Sequence, residues 1–312
     1  MESINNLKEA ARALASGHLV AFPTETVYGL GADATNPAAV ARIYATKQRP
    51  TDHPLIVHID SQERINSWAI NIPDYAKDLA KAFWPGPMTL ILPRSETAKD
   101  FITGGQPTVG IRIPNHPAAL GLLREFAALG GLGIAAPSAN RFGKLSPTSS
   151  QAVKTELGSY LSAEDIVLDG GDSEVGIEST IIDCTGASPA ILRAGFISAE
   201  QIEKVTGLAV TAPEGTIRVS GALERHYSPD TPLQLGGEAG EGDGFLALAF
   251  VPTPIGAVRL ASPVNNIEYA QVLYSALRKA DELSLRKVVA IVPTGDYLAD
   301  AIADRLKKAA AL

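Results

Sequence analysis

The chain of 312 residues is long enough for two domains, and its composition, 46% hydrophobic and 20% charged, excludes global disorder. A formal net charge of −7 gives no electrostatic reason to expect non-specific binding to nucleic acid. Cys184 is the only cysteine and the five histidines are scattered, which excludes a disulfide framework and a cysteine-rich zinc site within one chain.

The N-terminal residues 1–6 have neither the basic region nor the apolar region of a signal peptide. No uninterrupted apolar run reaches the roughly 18 residues that a membrane-spanning helix needs. We therefore expect a cytoplasmic protein with no membrane partner.

Apolar runs typical of strands alternate with helical patterns over the first part of the chain. A helical period from Ile4 to Leu14, with Gly17 as its stop, precedes a strand over residues 18–22. Asn36 and Pro37 predict the start of a helix, because an asparagine N-cap followed by proline is a typical helix opening. Further elements are predicted as a helix over residues 74–84 and strands at residues 55–59, 88–92, 109–113, 133–136, 165–168, 179–183 and 190–193.

A capping-box pattern at Ser198-Ala199-Glu200-Gln201 predicts the last helix of a first domain, residues 5–206. The patterning lapses over residues 207–243, which we interpret as a linker with an exposed acidic glycine run. Residues 244–312 predict a smaller second domain. Its elements are predicted as strands at residues 245–250 and 288–292 and helices at residues 267–281 and 297–306. The predicted fold class is α/β.

Common catalytic motifs are missing or out of place. Gly29-Leu30-Gly31-Ala32-Asp33-Ala34 matches the dinucleotide fingerprint, but six residues separate it from the preceding strand and the next helix begins only at Pro37. The sequence has no Walker-type phosphate loop, no G-x-S-x-G and no H-E-x-x-H. Dinucleotide oxidoreductases, P-loop NTPases and the common hydrolases are therefore not favoured.

Several predicted strands end in small polar residues or in arginine. Pro23-Thr24-Glu25-Thr26 follows the first strand, Ser138 and Asn140 follow another, and Arg193 ends a third. If these ends converge, they form an oxygen-rich, cationic pocket suited to an anionic ligand.

The residues alone leave two alternatives open. Arg112, inside an apolar strand, could instead be half of an internal salt bridge. Lys47 and Arg49 could be solvated charges at the end of a helix, where cations complement the helix dipole.

Six segments, in order along the chain, resemble the YrdC-like threonylcarbamoyl-AMP synthase family. They are residues 18–31, 47–59, 108–114, 135–149, 176–183 and 191–195. The region from His226-Tyr227-Ser228-Pro229 onwards resembles the extra domain of the long form of that family. The resemblance implies a twisted mixed-sheet domain with a concave cationic cavity, followed by a smaller Rossmann-like domain.

The resemblance also implies a reaction in which L-threonine, bicarbonate and ATP give threonylcarbamoyl-AMP and pyrophosphate. The product would feed threonylcarbamoyladenosine formation next to the anticodon, so the implied downstream partners are threonylcarbamoyl-transferase machinery and tRNA. Mg²⁺ is expected with ATP, held mainly by phosphate oxygens and water.

The implied site residues fall into three groups. The family's Lys-x-Arg and Ser-x-Asn tetrad is implied as catalytic, with the two cations on the phosphates, and is present as Lys47, Arg49, Ser138 and Asn140. The threonine neighbours are implied to be Thr26, His58, Arg112 and Ser179. The ATP neighbours are implied to be Arg49, His53, Thr108, Ser138, Asn140, Ser146, Arg193 and Tyr227, with His53 standing where asparagine is common.

Two other functions stay open. One is carbamoyl adenylation in enzyme maturation, although hydrogenase-maturation proteins with a similar domain carry zinc-finger cysteines that this chain lacks. The other is a non-catalytic RNA-binding protein, which the acidic net charge and the intact tetrad disfavour. The motif at residues 226–229 predicts a segment that closes over the nucleotide, in preference to an inert tether.

Overall fold

The computed structural model describes residues 4–213, 215, 217–221 and 226–311. Outside the described residues lie residues 1–3 at the N-terminus, residues 214, 216 and 222–225 of the predicted linker, and residue 312 of the predicted second domain. Within the described part, the chain forms two sheets with helices around them, which confirms the predicted α/β class.

The larger sheet is mixed and has nine strands, in the order β7-β1-β2-β6-β3-β5-β4-β8-β9. These strands are β1 (Val20–Phe22), β2 (Gly29–Asp33), β3 (Ile56–His58), β4 (Met88–Pro93), β5 (Thr108–Arg112), β6 (Ile134–Ala135), β7 (Ile166–Val167), β8 (Thr180–Asp183) and β9 (Ala190–Arg193). The accompanying helices are α1 (Ile4–Ala15), α2 (Pro37–Lys47), α3 (Ile65–Trp68), α4 (Asp74–Phe83), α5 (Asp100–Thr103), α6 (Pro117–Ala128), α7 (Ser150–Leu157) and α8 (Ala199–Thr206), with 3₁₀ turns at Gln62–Arg64 and Gly158–Tyr160.

The smaller sheet is parallel and has the order β10-β13-β11-β12, which is the Rossmann-like second domain. Its elements are β10 (Leu233–Leu235), β11 (Asp243–Leu246), β12 (Val258–Ala261), β13 (Lys287–Ala290), α9 (Asn266–Glu282) and α10 (Tyr297–Ala310). β10 lies inside the range predicted as linker and pairs with β13. None of the helices in the described ranges is long and apolar enough to cross a membrane.

Local signals in the sequence placed several helix ends. The Asn36 side chain accepts hydrogen bonds from the backbone N–H groups of Ala38 and Ala39, as an N-cap does. Ser198 and Gln201 form both hydrogen bonds of the predicted capping box at the start of α8.

The predictions missed the strands β2, β10 and β12 and the helices α3, α5, α6 and α7. β2 is glycine-rich because neighbouring strands and side chains approach it closely. A Cβ atom on Gly31 would lie 2.7 Å from Ile134 Cγ2 and 2.9 Å from Phe22 Cε1.

The register of the larger sheet brings polar residues to one place. His58 at the end of β3 lies opposite Arg112 at the end of β5, because these strands are parallel neighbours. Ser179 immediately precedes β8, and Arg193 at the end of β9 lies opposite Ile181 of that strand. The sheet thus gathers residues that are far apart in the sequence.

The two domains share one buried apolar cluster. Val27, Leu145 and Ile177 of the first domain belong to the same buried cluster as Tyr269 and Leu273 of α9. The contact is close: a Cβ atom on Gly176, which has a φ of 77°, would lie 2.4 Å from Cα of Gln271. The second domain is therefore packed directly against the loop that leads into β8.

Candidate active site

A cavity of about 50 Å³ lies where the strand ends of the larger sheet meet the segment between the domains. Its described wall contains three guanidinium groups, those of Arg49, Arg112 and Arg193, and one carboxylate, that of Glu178. The other lining residues are Thr24, Thr26, Val27, Tyr28, Gly29, Ile56, His58, Ala136, Pro137, Ser138, Ser179, Ser220, Gly221, His226 and Tyr227. The wall therefore combines cations with hydroxyl groups, as a site for an anionic ligand requires.

Most of the predicted site residues meet in this wall. Those that line the cavity are Thr26, Arg49, His58, Arg112, Ser138, Ser179, Arg193 and Tyr227. Those that do not are Lys47, His53, Thr108, Asn140 and Ser146.

Lys47 lies behind the wall and is bonded to the Ser-x-Asn loop. Its side chain is buried, and Nζ donates to the backbone oxygen of Ser138 at 2.6 Å and to that of Asn140. The Asn140 side chain in turn donates to the carbonyl oxygens of Arg141 and Lys144, each at 2.8 Å. Burial, together with the charge of Arg49, lowers the pKa of Lys47 well below its usual value. In this structure Lys47 supports the loop that carries Ser138.

The other three residues outside the wall lie beside it. Ser146 donates from its hydroxyl to Oε1 of Glu178 at 2.6 Å. The His53 ring packs edge-on against Phe142, with ring centroids 5.2 Å apart. Thr108 lines a smaller cavity of about 20 Å³.

The Arg112 guanidinium is paired with a carboxylate that the site predictions did not include. Its Nη2 lies 2.8 Å from Oε1 of Glu25, and both side chains are buried. The internal salt bridge that the sequence left open is therefore present. The pairing leaves a donor unused, since Nε of Arg112 makes no hydrogen bond with the described residues. Arg112 can thus offer N–H groups to a ligand while Glu25 fixes its position.

His58 and the threonines supply neutral polar atoms near Arg112. Burial, followed by the charge of Arg112, lowers the pKa of His58 to about 3, so the ring is neutral at pH 7. Nδ1 of His58 is buried and has no hydrogen-bond partner among the described residues. The Thr24 hydroxyl donates to the carbonyl oxygen of Val27 at 2.6 Å and lies 2.8 Å from the Thr26 hydroxyl, which must therefore donate to it. The Thr26 oxygen keeps its capacity to accept a hydrogen bond.

Arg49 and Arg193 both hold the segment that covers the cavity. Arg49 Nη2 donates to the Ser220 hydroxyl at 3.1 Å, and Arg193 Nη1 donates to the Ser220 carbonyl oxygen at 2.9 Å. The remaining Arg193 donors bond the carbonyl and hydroxyl oxygens of Ser179. We call the described residues 217–221 and 226–229 the closing segment. It forms one side of the cavity through Ser220, Gly221, His226 and Tyr227.

The site contains residues that the sequence did not single out. Glu25 and Glu178 lie in segments whose hydroxyl residues drew the site predictions. Each carboxylate is paired with a buried arginine, Arg112 or Arg305, and only the fold identifies that partner. Ser220 comes from a stretch with no recognisable pattern. Across residues 4–213, 215, 217–221 and 226–311, no group of three or more His, Cys, Asp or Glu side chains is arranged to hold a metal ion.

Comparison with known families covers nearly the whole chain. Residues 12–195 match the family model Sua5_yciO_yrdC, described as "Telomere recombination". Residues 197–311 match a model described as "Threonylcarbamoyl-AMP synthase, C-terminal domain".

Curated relatives carry the same description. The chain is 46% identical over 233 residues to the threonylcarbamoyl-AMP synthase of Pyrococcus abyssi, and this match spans 73% of the chain and 66% of that protein. It is 43% identical over 236 residues to that of Bacillus subtilis, with the same two coverages. The chain therefore spans just under two thirds of the length of these relatives.

Solved structures support the same relationship. The structure of P. abyssi Sua5 complexed with L-threonine matches 99% of this chain and 95% of that one, with a TM-score of 0.87 and 37% identity. A full-length HypF in a phosphate- and nucleotide-bound form matches with a TM-score of 0.53 and 16% identity, which indicates a shared fold alone.

Proposed function

Because this chain belongs to the threonylcarbamoyl-AMP synthase family, we propose that it joins L-threonine, bicarbonate and ATP to give threonylcarbamoyl-AMP, pyrophosphate and water. The observation that carries the proposal is the cavity wall, in which three guanidinium groups and several hydroxyl groups converge from distant parts of the chain. The further use of the product, by threonylcarbamoyl-transferase machinery acting on tRNA, is part of the proposal.

The threonine half of the site is proposed around Arg112. The N–H groups of Arg112 that do not face Glu25 suit the substrate carboxylate, and the salt bridge to Glu25 holds the guanidinium in place. Thr26, His58 and Ser179 would contact the hydroxyl and amine of the substrate. The P. abyssi structure, which is 37% identical over nearly the whole chain, is a complex with L-threonine and supports this half of the proposal.

The nucleotide half is proposed around Arg49 and Arg193, with Ser138 and Asn140 beside them. Burial, as the largest effect, lowers the pKa of Arg49 to about 10, which leaves it a cation at neutral pH and able to bind phosphate. We propose that Lys47 acts by holding the loop of Ser138 and Asn140, since its Nζ donates to both carbonyl oxygens. Ser146, Thr108 and His53 stay proposed as outer neighbours of the nucleotide.

The proposed chemistry needs positioning and charge neutralisation more than covalent help. The threonine amine and bicarbonate would form a carbamate with loss of water. A carbamate oxygen would then attack the α-phosphorus of ATP and expel pyrophosphate. Holding the reactants together and neutralising the phosphate charge are the main tasks for the protein. We propose that Mg²⁺ enters with ATP and is bound mainly by phosphate oxygens and water, since the Glu178 carboxylate is already bonded to protein groups.

ATP–pyrophosphate exchange tests the function directly. We expect exchange of labelled pyrophosphate into ATP that depends on both threonine and bicarbonate. RNA binding without any exchange would favour the RNA-binding alternative. Exchange that requires a carbamoyl donor in place of threonine and bicarbonate would favour carbamoyl adenylation.

The closing segment must move when ATP binds. A cavity of about 50 Å³ has room for a few water molecules, and not for a nucleotide. In addition, the hydroxyl and carbonyl oxygens of Ser220 occupy donors of Arg49 and Arg193 that the proposal assigns to phosphate. We propose that the triphosphate displaces Ser220 and that the segment then closes over the bound nucleotide.

Replacing Ser220 with alanine should tighten ATP binding. Ser220→Ala removes the hydroxyl that competes for Arg49, and a hydrogen bond of this kind corresponds to roughly a two- to tenfold change in affinity. Calorimetric titration of the full-length chain with ATP measures the effect. Ser95→Ala, which removes a hydroxyl bonded to the Ser67 carbonyl oxygen away from the cavity, should leave ATP affinity unchanged. Unchanged or weaker ATP binding by Ser220→Ala would show that Ser220 does not compete with the phosphates.

A further inference from the structure

Glu178 is held by both domains. Within the first domain, its Oε1 accepts a hydrogen bond from Ser146 at 2.6 Å. From the second domain, the Tyr274 hydroxyl donates to Oε2 at 2.9 Å, and Arg305 Nε donates to the same oxygen at 3.2 Å. Arg305 is fully buried and also donates to the carbonyl oxygen of Ala194 at 2.7 Å. Helices α9 and α10 thus provide two of the three side chains that fix the carboxylate.

The same two helices hold the closing segment. The Tyr227 ring contacts both the Tyr274 ring, with centroids 5.5 Å apart, and the Arg305 guanidinium, 5.8 Å from the ring centre. Lys308 Nζ donates to the carbonyl oxygen of Gly221 at 2.7 Å, and the Lys308 carbonyl oxygen accepts from the His226 N–H at 3.2 Å. One face of α10 therefore contacts both the carboxylate and the covering residues.

A carboxylate in this wall is unfavourable for an anionic ligand unless a cation balances it. Burial by itself would raise the pKa of Glu178, but the charges of Arg305 and Arg193 and the Ser146 hydroxyl outweigh burial and lower the pKa to about 2. Glu178 is therefore ionised at neutral pH. Arg193 also has to serve the ligand, whereas Arg305 does not line the cavity and is free to pair with Glu178. Nη1 of Arg305 also pairs with Asp304 at 3.1 Å, but that carboxylate has a second cation in Lys308, at 2.9 Å.

We propose that Arg305 and Tyr274 are positioning residues that the second domain contributes to the nucleotide site. Arg305 neutralises Glu178, Tyr274 donates a hydrogen bond to it, and both side chains contact Tyr227, so that ATP meets a wall of net positive charge. This inference rests on the proposed function, because it assumes that the cavity binds ATP.

Direct ATP binding to full-length variants tests the inference. Arg305→Met removes the cation that is ion-paired with Glu178 and should weaken ATP binding by about 10²-fold, as loss of one partner of a buried ion pair does. Tyr274→Phe removes only the hydroxyl and should weaken binding about tenfold. Adding Glu178→Gln to Arg305→Met should restore at least tenfold of the lost affinity, because the unpaired charge is then gone.

The pH dependence separates a charge effect from a loss of packing. The groups that face Glu178 are Arg193 of β9, Ser146 before α7, Tyr274 of α9, Arg305 and Asp304 of α10, and His226 and Tyr227 of the closing segment. Without Arg305 the pKa of Glu178 rises, so lowering the pH protonates the carboxylate and removes its repulsion. The ratio of ATP dissociation constants, Arg305→Met over unmodified protein, should therefore shrink between pH 8 and pH 5. The double variant should show no such change.

Arg259→Met is the matched control in the second domain. Its guanidinium bonds the carbonyl oxygens of Ala247 and Leu248, and none of its described partners lines the cavity. ATP affinity should be unchanged in this variant. Equal ATP affinity of Arg305→Met and the unmodified protein, or a double variant no better than Arg305→Met, would overturn the inference.

Two further measurements keep the result interpretable. If Arg305→Met does not fold, Tyr274→Phe decides: a roughly tenfold loss supports the inference, and unchanged affinity overturns it. ATP–pyrophosphate exchange by the unmodified chain is measured in parallel. If the unmodified chain catalyses exchange but the variants bind ATP as tightly as it does, only the role of the second domain is contradicted. If the unmodified chain catalyses no exchange, the proposed function itself is contradicted.

Discussion

Valine should be a substrate about 10⁴-fold worse than threonine in kcat/KM, while serine should lose only about 10- to 200-fold. Serine lacks one methyl group, and the loss of a methyl contact in an apolar pocket has a modest cost. Valine is nearly isosteric with threonine but has no hydroxyl. Valine would therefore leave polar atoms of the site buried and unpaired, which costs more binding free energy than the loss of one methyl contact.

The geometry around the cavity identifies those polar atoms. The Thr26 oxygen can accept a hydrogen bond because its own proton is directed to Thr24. His58 is neutral, and its Nδ1 has no partner in the described part of the chain. The Ser179 oxygen accepts from Arg193 at 3.1 Å and lies 2.8 Å from the Thr89 hydroxyl. Polar groups from the β1–β2 loop, the end of β3 and the residue before β8 thus surround the proposed place of the substrate hydroxyl.

Competition among the three amino acids, at fixed ATP and bicarbonate, measures the order of preference. Thr26→Val should narrow the ratio between threonine and valine, because the variant can no longer pair with the substrate hydroxyl. Valine performing as well as serine in the unmodified protein would mean that the hydroxyl is not recognised. The placement of threonine would then be wrong even if the reaction is right.

Replacing Arg49 with alanine should lower kcat by about 10²-fold or more, with a smaller change in the KM for threonine. The guanidinium is buried in the wall, and negative charge on the phosphates develops as the bond to pyrophosphate breaks. Arg49→Lys keeps the charge but not the planar fork, so its kcat should fall between those of the alanine variant and the unmodified protein.

Steady-state kinetics with threonine and ATP varied separately gives both parameters. Arg94→Ala is a suitable control, because Arg94 pairs with Asp100 and Thr103 outside the cavity. A near-normal kcat in Arg49→Ala would contradict the catalytic role. Arg49 would then be only a charge that complements the dipole at the end of a helix.

The sequence predicted those parts of the site that depend on strand ends. Thr26, His58, Ser179 and Arg193 lie at or near the ends of apolar strands, where an α/β sheet commonly places a ligand site. Which strand ends meet depends on the order and direction of the strands, and the structure supplies both. The pairing of Arg112 was harder, because a buried arginine requires a carboxylate but the sequence does not say which one. Glu25, far from Arg112 along the chain, became identifiable only from the fold.

Contacts across the domains could not be predicted. Glu178 and Arg305 are separated by 127 residues, and Arg305 belongs to a helix whose sequence looks like an ordinary amphipathic one. Ser220 lies in a stretch without periodicity, where neither a strand nor a helix fixes its direction. Both depend on how one folded domain docks on another, which local patterns do not encode. β2 was missed for a different reason: its glycines satisfy close packing and weaken the alternation that marks a strand.

The glycine at position 176 makes the first domain intolerant of substitution at its contact with the second domain. Every mutation of this residue adds at least one carbon atom at a point 2.4 Å from the backbone of Gln271 and 2.5 Å from the carbonyl oxygen of Ala270, in a conformation that L-residues rarely adopt. A flexible neighbouring side chain could change its rotamer to make room for the added carbon, but the atoms at this distance belong to the backbone of α9 and cannot shift separately from the helix. Any other residue at position 176 would therefore force α9 away from the first domain and disturb the docking of the second domain. The absence of one methyl group is what lets the two domains approach this closely.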